Sequence, residues 1–107
     1  MESSSVREIE ADEVKRRLEN GEALTIIDVR EDEEWEAGHI PGATHIQLGS
    51  LGHRLDELDS SHELIMVCRS GNRSGYATEQ LEAIGFQPVN MLGGMLAWKG
   101  QVIYEDR

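Results

Sequence analysis

A single cysteine, Cys68, stands in 107 residues. That excludes an internal disulfide and any zinc or iron–sulfur centre built from several cysteines, and it leaves no second thiol to resolve an adduct on the first. Whatever Cys68 acquires must therefore leave to an outside acceptor. Positive charge is scarce as well: 10 Lys and Arg against 21 Asp and Glu give a net charge of −11, which argues against nucleic acid or an anionic membrane as partner. No segment approaches a membrane span in length and apolarity, and Met1-Glu2-Ser3-Ser4-Ser5 lacks the basic and apolar regions of a secretory leader. A cytoplasmic protein is expected. The four histidines, His39, His45, His53 and His62, have no spacing that would set two on one helical face, so no metal site is expected from them. No internal repeat or low-complexity stretch is found.

What remains is an ordinary globular composition, 38% hydrophobic and 29% charged, and a length that bounds the chain to one domain burying roughly two-thirds of its unfolded surface. The domain is taken as residues 1–107, with fraying expected over residues 1–5 and 102–107. Acid is unevenly placed. Residues 1–36 hold 13 of the 21 acidic residues against 5 basic ones, whereas Cys68 to Tyr76 holds two arginines and no acid. The local field around the cysteine should oppose the global one.

The most informative stretch is Leu64-Ile65-Met66-Val67-Cys68-Arg69-Ser70-Gly71-Asn72-Arg73-Ser74. Its apolar start reads as a strand buried on both faces, and Gly71 and Asn72 break the pattern just after the thiol. From Arg73 onward Ala77, Leu81 and Ile84 fall at helical spacing, with Gly85 placed to end the helix in the left-handed conformation. Cys68 thus lies at a strand-to-helix turn, where loop amides and the first helical turn converge into an anion cradle. Those dipoles, with Arg69 and Arg73, favour the thiolate, which is the reactive form. Cys68 is the nucleophile candidate. The alternative is a buried structural cysteine, against which the two flanking arginines argue.

The rest of the chain alternates strand and helix. A first strand is expected over Val6–Ile9, a helix over Ala11–Asn20, and a second near-continuous apolar strand over Leu24–Val29. Lys15, Arg16 and Arg17 decorate the wet face of that helix or bind a partner. A brief acidic helix over Glu31–Ala37 should anchor Trp35 in the core, and His39-Ile40-Pro41-Gly42-Ala43 forms a rigid turn with His39 as a structural hydrogen-bonder. A short strand over Thr44–Leu48, an amphipathic helix through Leu51, Leu55 and Leu58, a last strand over Pro88–Leu92 and a tight turn at Gly93-Gly94 complete the pattern. Such alternation implies βαβ units and a parallel sheet covered on both faces. Asp28 and Arg30 close the second strand, where open α/β sheets place their crevice. Two readings stand for them: they border the site, or Asp28 accepts loop amides while Arg30 pairs with an acid such as Glu34.

Together these blocks resemble the rhodanese-like domain over nearly the whole chain. The resemblance rests on Asp28-Val29-Arg30, on Glu34-Trp35 with Gly38-His39-Ile40-Pro41-Gly42-Ala43, on the Cys68–Ser74 loop, and on Gly93-Gly94 with Trp98. It implies a three-layer α/β/α fold around a five-stranded parallel sheet of order 3-2-4-5-1. It also implies a sulfurtransferase in which Cys68 takes a sulfane sulfur from a donor such as thiosulfate and passes it, from a persulfide, to cyanide or a thiol. In that family's terms the amides of Arg69, Ser70, Gly71, Asn72, Arg73 and Ser74 hold the terminal sulfur, the Arg69 side chain meets an anionic donor, and no metal or organic cofactor is required. A protein thiol is a further candidate acceptor. Two other readings share the pattern. One is an interaction or sulfur-delivery module with incidental turnover; the other is a phosphatase or arsenate reductase of the same fold, whose loop is one residue longer than the C-x4-R spacing here.

Overall fold

The computed structural model describes residues 6–104. Five strands form one all-parallel sheet: β1 (Glu8–Glu10), β2 (Thr25–Asp28), β3 (Thr44–His45), β4 (Glu63–Val67) and β5 (Gln87–Leu92). Their spatial order is β1-β5-β4-β2-β3, the order expected, counted from the opposite edge. Three α-helices, α1 (Ala11–Glu19), α2 (Asp32–Glu36) and α3 (Asn72–Ala83), and three 3₁₀ segments connect them.

The continuous apolar runs are explained by two cores, one on each face of the sheet. Successive side chains of a strand point to opposite faces, and β4 divides accordingly. Ile65 and Val67 join Ile9, Val14, Ile26, Val89 and Met91 on the face covered by α1. Leu64, Met66 and Cys68 join Ile27, Val29, Leu51, Ala77 and Leu81 on the face covered by α3. Central strands buried on both sides need no polar alternation, and β4 and β2 show none until the strand ends. Helix α1 places Asp12 and Glu13 in its first turn and Arg16 and Arg17 in its last, complementing its dipole at both ends.

Away from the cysteine loop and the end of β2, the structure departs from the sequence expectations in four places. The stretch around Leu51, Leu55 and Leu58 is not one amphipathic helix but two 3₁₀ segments, Leu48–His53 and Leu55–Glu57, joined at Arg54. Gly49 and Gly52 weaken α-helix there, and the three-residue step from Leu48 to Leu51 fits the tighter 3₁₀ turn. The expected strand over Thr44–Leu48 keeps regular pairing for two residues only; beyond it, Ile46 and Leu48 still donate to the carbonyls of Asp28 and Val29 at 3.0 Å each. Trp35 does not enter either core. It stacks between His39, at 3.4 Å between centroids, and His45, at 4.7 Å. At the C-terminal end, Ile103 exchanges two backbone hydrogen bonds with His39, at 2.8 and 2.9 Å, so the fraying expected over residues 102–107 does not include it. Residues 1–5 and 105–107 lie outside the described residues.

Candidate active site

Strand β4 ends at Val67, and the next residue carries the sulfur. The chain is held there from outside the loop: the Cys68 carbonyl accepts the Met95 amide at 2.8 Å and the Arg69 carbonyl accepts the Leu96 amide at 3.0 Å. Both amides belong to the 3₁₀ segment Gly94–Ala97, which follows Gly93-Gly94. Gly94 has φ +57°, and a Cβ on it would strike the carbonyl oxygens of Cys68 and Arg69. Only glycine lets this turn approach the loop closely enough to clamp it. Gly93-Gly94 therefore serves the cysteine from another strand end.

The loop turns back at Gly71, whose φ of +104° is open to glycine without strain, and α3 begins at the next residue. This turn aims the Gly71 amide at Cys68 Sγ, 3.0 Å away. Ser74, fully buried in the first turn of α3, sets its Oγ 3.3 Å from the same sulfur. The sulfur is itself buried, at 0% exposure, while Arg69, Ser70 and Asn72 of the loop are exposed. This corrects the expectation that flanking arginines keep Cys68 from apolar surroundings: it packs with the α3-side core and is hydrogen-bonded at once. Burial pushes the thiol up, but hydrogen bonds from the Ser74 hydroxyl and from the amides of Ser74, Gly71 and Ser70 outweigh it and hold the thiol below its ordinary value.

The two loop arginines differ. Arg69 has an exposed side chain with no side-chain partner among the described residues. Arg73 is engaged: its Nη1 and Nη2 donate to the two carboxylate oxygens of Glu34, each at 2.8 Å. The Arg73 fork holds the Glu34 carboxyl well down, at about 2, and Glu34 raises Arg73 in return. Glu34 also accepts the Glu31 amide at 2.9 Å, so α2 is joined to the start of α3 through one carboxylate.

Arg30 does not pair with Glu34 as the sequence reading allowed. Its guanidinium folds back on Asp28, Nε to Oδ1 at 2.9 Å and Nη2 to Oδ2 at 2.8 Å, and also donates to the Gly38 carbonyl at 2.8 Å. Residues two apart at a strand end share a face, and that periodicity selects the near partner. Asp28 accepts one amide, that of Arg30, at 3.0 Å, rather than several loop amides. Both residues are buried at the end of β2, beside β4, and neither is among the hydrogen-bond partners of the sulfur. The His45 ring meets the Arg30 carbonyl at 2.7 Å and completes this support.

One residue escaped sequence reading. Asn90, in the middle of β5, is 5% exposed and hydrogen-bonds both Ser74 and the Gly71 carbonyl. Its signal was present: an amide inside Pro88-Val89-Asn90-Met91 is a polar group in a doubly covered strand, and such a group must find partners. Among the described residues, no three His, Cys, Asp or Glu side chains converge as a metal would need, and no helix is long and apolar enough to cross a membrane.

A lone cysteine in an amide-lined strand-to-helix loop, clamped by a double-glycine turn, coincides with a family profile: that of the rhodanese-like domain matches residues 10–101. The chain belongs to the rhodanese-like domain family. Among its relatives is the Bacillus subtilis protein named "Putative sulfurtransferase YtwF", 43% identical over 96 residues, which cover 90% of this chain and 93% of that one. The Bacillus subtilis protein named "Putative sulfur carrier protein YrkF" is 41% identical over 100 residues, 92% of this chain but 54% of its own length, so there the rhodanese-like unit is about half of a longer chain. The crystal structure of a rhodanese-like domain protein from Staphylococcus aureus superposes with a TM-score of 0.89 at 34% identity, covering 94% of this chain and all of that one.

Proposed function

We propose that this rhodanese-like domain is a sulfurtransferase that carries a sulfane sulfur on Cys68. The observation that carries the reading is the Gly71 amide on Cys68 Sγ at 3.0 Å, joined by the Ser74 hydroxyl and the amides of Ser70 and Ser74. The thiolate attacks the outer sulfur of a donor such as thiosulfate; the new Sγ–S bond forms as the donor's S–S bond breaks, and its electron pair leaves on sulfite. A thiol or cyanide then attacks the terminal sulfur of the persulfide, and the pair returns to Cys68 Sγ. With one cysteine in the chain, the acceptor comes from outside, as a small molecule or as the thiol of another protein. Exposed Arg69 is suited to meet an anionic donor, and the loop amides of Ser70 to Ser74 to hold the bound sulfur. Asp28 and Arg30 support the site from the adjoining strand end.

The family fold also hosts phosphate chemistry, but two features support the smaller anion. The loop closes in four residues between Cys68 and Arg73, and the Arg73 fork, which a phosphate ester would need, is occupied by Glu34. The test compares thiocyanate formation from thiosulfate and cyanide with aryl phosphate hydrolysis. Sulfur transfer that depends on Cys68, without phosphate release, is expected. Phosphate release that depends on Cys68, with no thiocyanate formed, would replace this reading.

A further inference from the structure

Asn90 and Ser74 form a device behind the sulfur. The Ser74 hydroxyl owns one proton and faces two acceptors, Asn90 Oδ1 at 2.6 Å and Cys68 Sγ at 3.3 Å. The amide cannot be turned round to remove the conflict. Its Nδ2 donates to the Gly71 carbonyl at 3.1 Å, and a flipped amide would set oxygen against oxygen there. The Gly71 carbonyl is fixed in turn by accepting the Gly75 amide at 3.0 Å, and Thr78 Oγ1 donates to the Ser74 carbonyl at 2.7 Å, holding the backbone beneath the hydroxyl. With these contacts in place, the Ser74 O–H bond can still rotate between the two acceptors.

We propose that Asn90 is a positioning residue that competes with Cys68 for the Ser74 proton, so that the hydroxyl turns to the sulfur only when Sγ carries charge. With a neutral Sγ, as thiol or as the inner sulfur of a persulfide, the shorter bond to Asn90 wins. When Sγ becomes a thiolate, the hydroxyl donates to it and Asn90 Oδ1 gives up that bond. Applied to sulfur transfer, on which this part rests, the swing follows the electron pair. As an acceptor nucleophile bonds to the terminal sulfur and the S–S bond breaks, the pair moves onto Sγ and the Ser74 proton turns to meet it. The leaving thiolate is stabilised at the moment it forms, and the resting thiol is kept less acidic than an uncontested hydroxyl would make it.

The test reads the ionisation of Cys68 directly, without sulfur transfer. Iodoacetamide alkylation is followed against pH, with thermal melting as a check on folding, for wild type, Asn90→Leu, Ser74→Ala and the double variant. The charged groups around the thiol are Arg69 on the loop, Arg73 with Glu34 against it at the start of α3, and the Asp28–Arg30 pair at the end of β2. They are unchanged across the four proteins, so their effect cancels in the cycle. Removing the competing acceptor should move the midpoint for Asn90→Leu to lower pH and raise the rate at pH 7 roughly threefold. Ser74→Ala should move it to higher pH, and adding Asn90→Leu to Ser74→Ala should change it little. A residue that merely anchors Gly71 gives the opposite sign: Asn90→Leu would loosen the loop amides and move the midpoint up. That result, or the same downward shift with and without Ser74, would overturn the proposal. Should Asn90→Leu melt too early to use, Asn90→Ser, whose shorter side chain cannot span to Ser74 Oγ, serves in the same cycle with the same expected sign. If the cycle behaves as expected while the protein forms no thiocyanate, the sulfurtransferase reading fails and the proton device stands.

Discussion

Strands β2 and β4 lie side by side in register, Asp28 opposite Val67, and both carry apolar residues through their middles, Ile26-Ile27 and Leu64-Ile65-Met66. They end at the same edge of the sheet with opposite outcomes. At the end of β2 a carboxylate and a guanidinium close on one another, buried, with the Gly38 carbonyl and the Arg30 amide as further partners. At the end of β4 the chain turns so that amide and hydroxyl donors aim at a single sulfur, and the arginine next in sequence, Arg69, is left exposed. In the first arrangement the two charges are spent mainly on one another. The second is an excess of donors around one atom, which is what an incoming anionic sulfur requires.

The comparison is broken most severely by substitution at either strand end. Cys68→Ser should abolish sulfur uptake entirely and move the melting temperature little, since the change is nearly isosteric. Asp28→Ala should do the reverse. It leaves the Arg30 guanidinium buried without its carboxylate, at a cost of about 3–5 kcal/mol, which for a domain of this length lowers the melting temperature by more than about 10 °C. The fraction still folded at low temperature should keep its sulfur transfer. Thermal denaturation and thiocyanate formation on both variants check the pair; an Asp28→Ala protein that melts normally but transfers nothing would move Asp28 from scaffold to chemistry.

A smaller effect separates the two loop arginines. Arg69→Ala removes an exposed charge beside the thiol while the amides that hold the bound sulfur remain, so KM for thiosulfate should rise about tenfold and kcat fall less. A fall in kcat with KM unchanged would assign Arg69 to activation of Cys68 instead.

The smallest effect belongs to Glu34. Its carboxyl is lowered from the ordinary 4.5 to about 2 by Arg73, so its contribution to stability is complete above pH 4.5 and is lost as pH falls toward 2. The pair is partly exposed, which limits the contribution to under about 1 kcal/mol. Wild type should therefore be slightly more stable than Glu34→Gln at pH 7, and the gap should narrow at pH 3 and close as pH falls below 2. A gap independent of pH would mean that the hydrogen bonds of Glu34, and not its charge, tie α2 to α3.

Much of the architecture was legible because the strongest signals were local. The run into Cys68, the glycine after it and the helical spacing of Ala77 and Leu81 locate the strand, turn and helix within a residue or two. The family blocks supplied the strand order, which no local pattern contains. Partner choice was not legible. Five acids, Asp28, Glu31, Asp32, Glu33 and Glu34, lie within four residues of Arg30 in sequence, and which one it takes depends on where the chain turns after β2. Arg73 meets Glu34 across 39 positions of sequence, a pairing that only the packing of α2 against the start of α3 creates. Trp35 was read as a core anchor, but stacking on two imidazoles satisfies a large half-buried ring equally well. Asn90 was passed over because its neighbours are apolar, which is the very circumstance that obliges a buried amide to be doing something.

The central claim is that the donors gathered at the end of β4 exist to hold one sulfur atom on Cys68. Intact-mass measurement of the wild type after incubation with thiosulfate tests it most directly. The account predicts a gain of a single sulfur, reversed by a thiol reductant and absent from Cys68→Ser. An unchanged mass under conditions where the thiol is ionised and alkylates readily would contradict it.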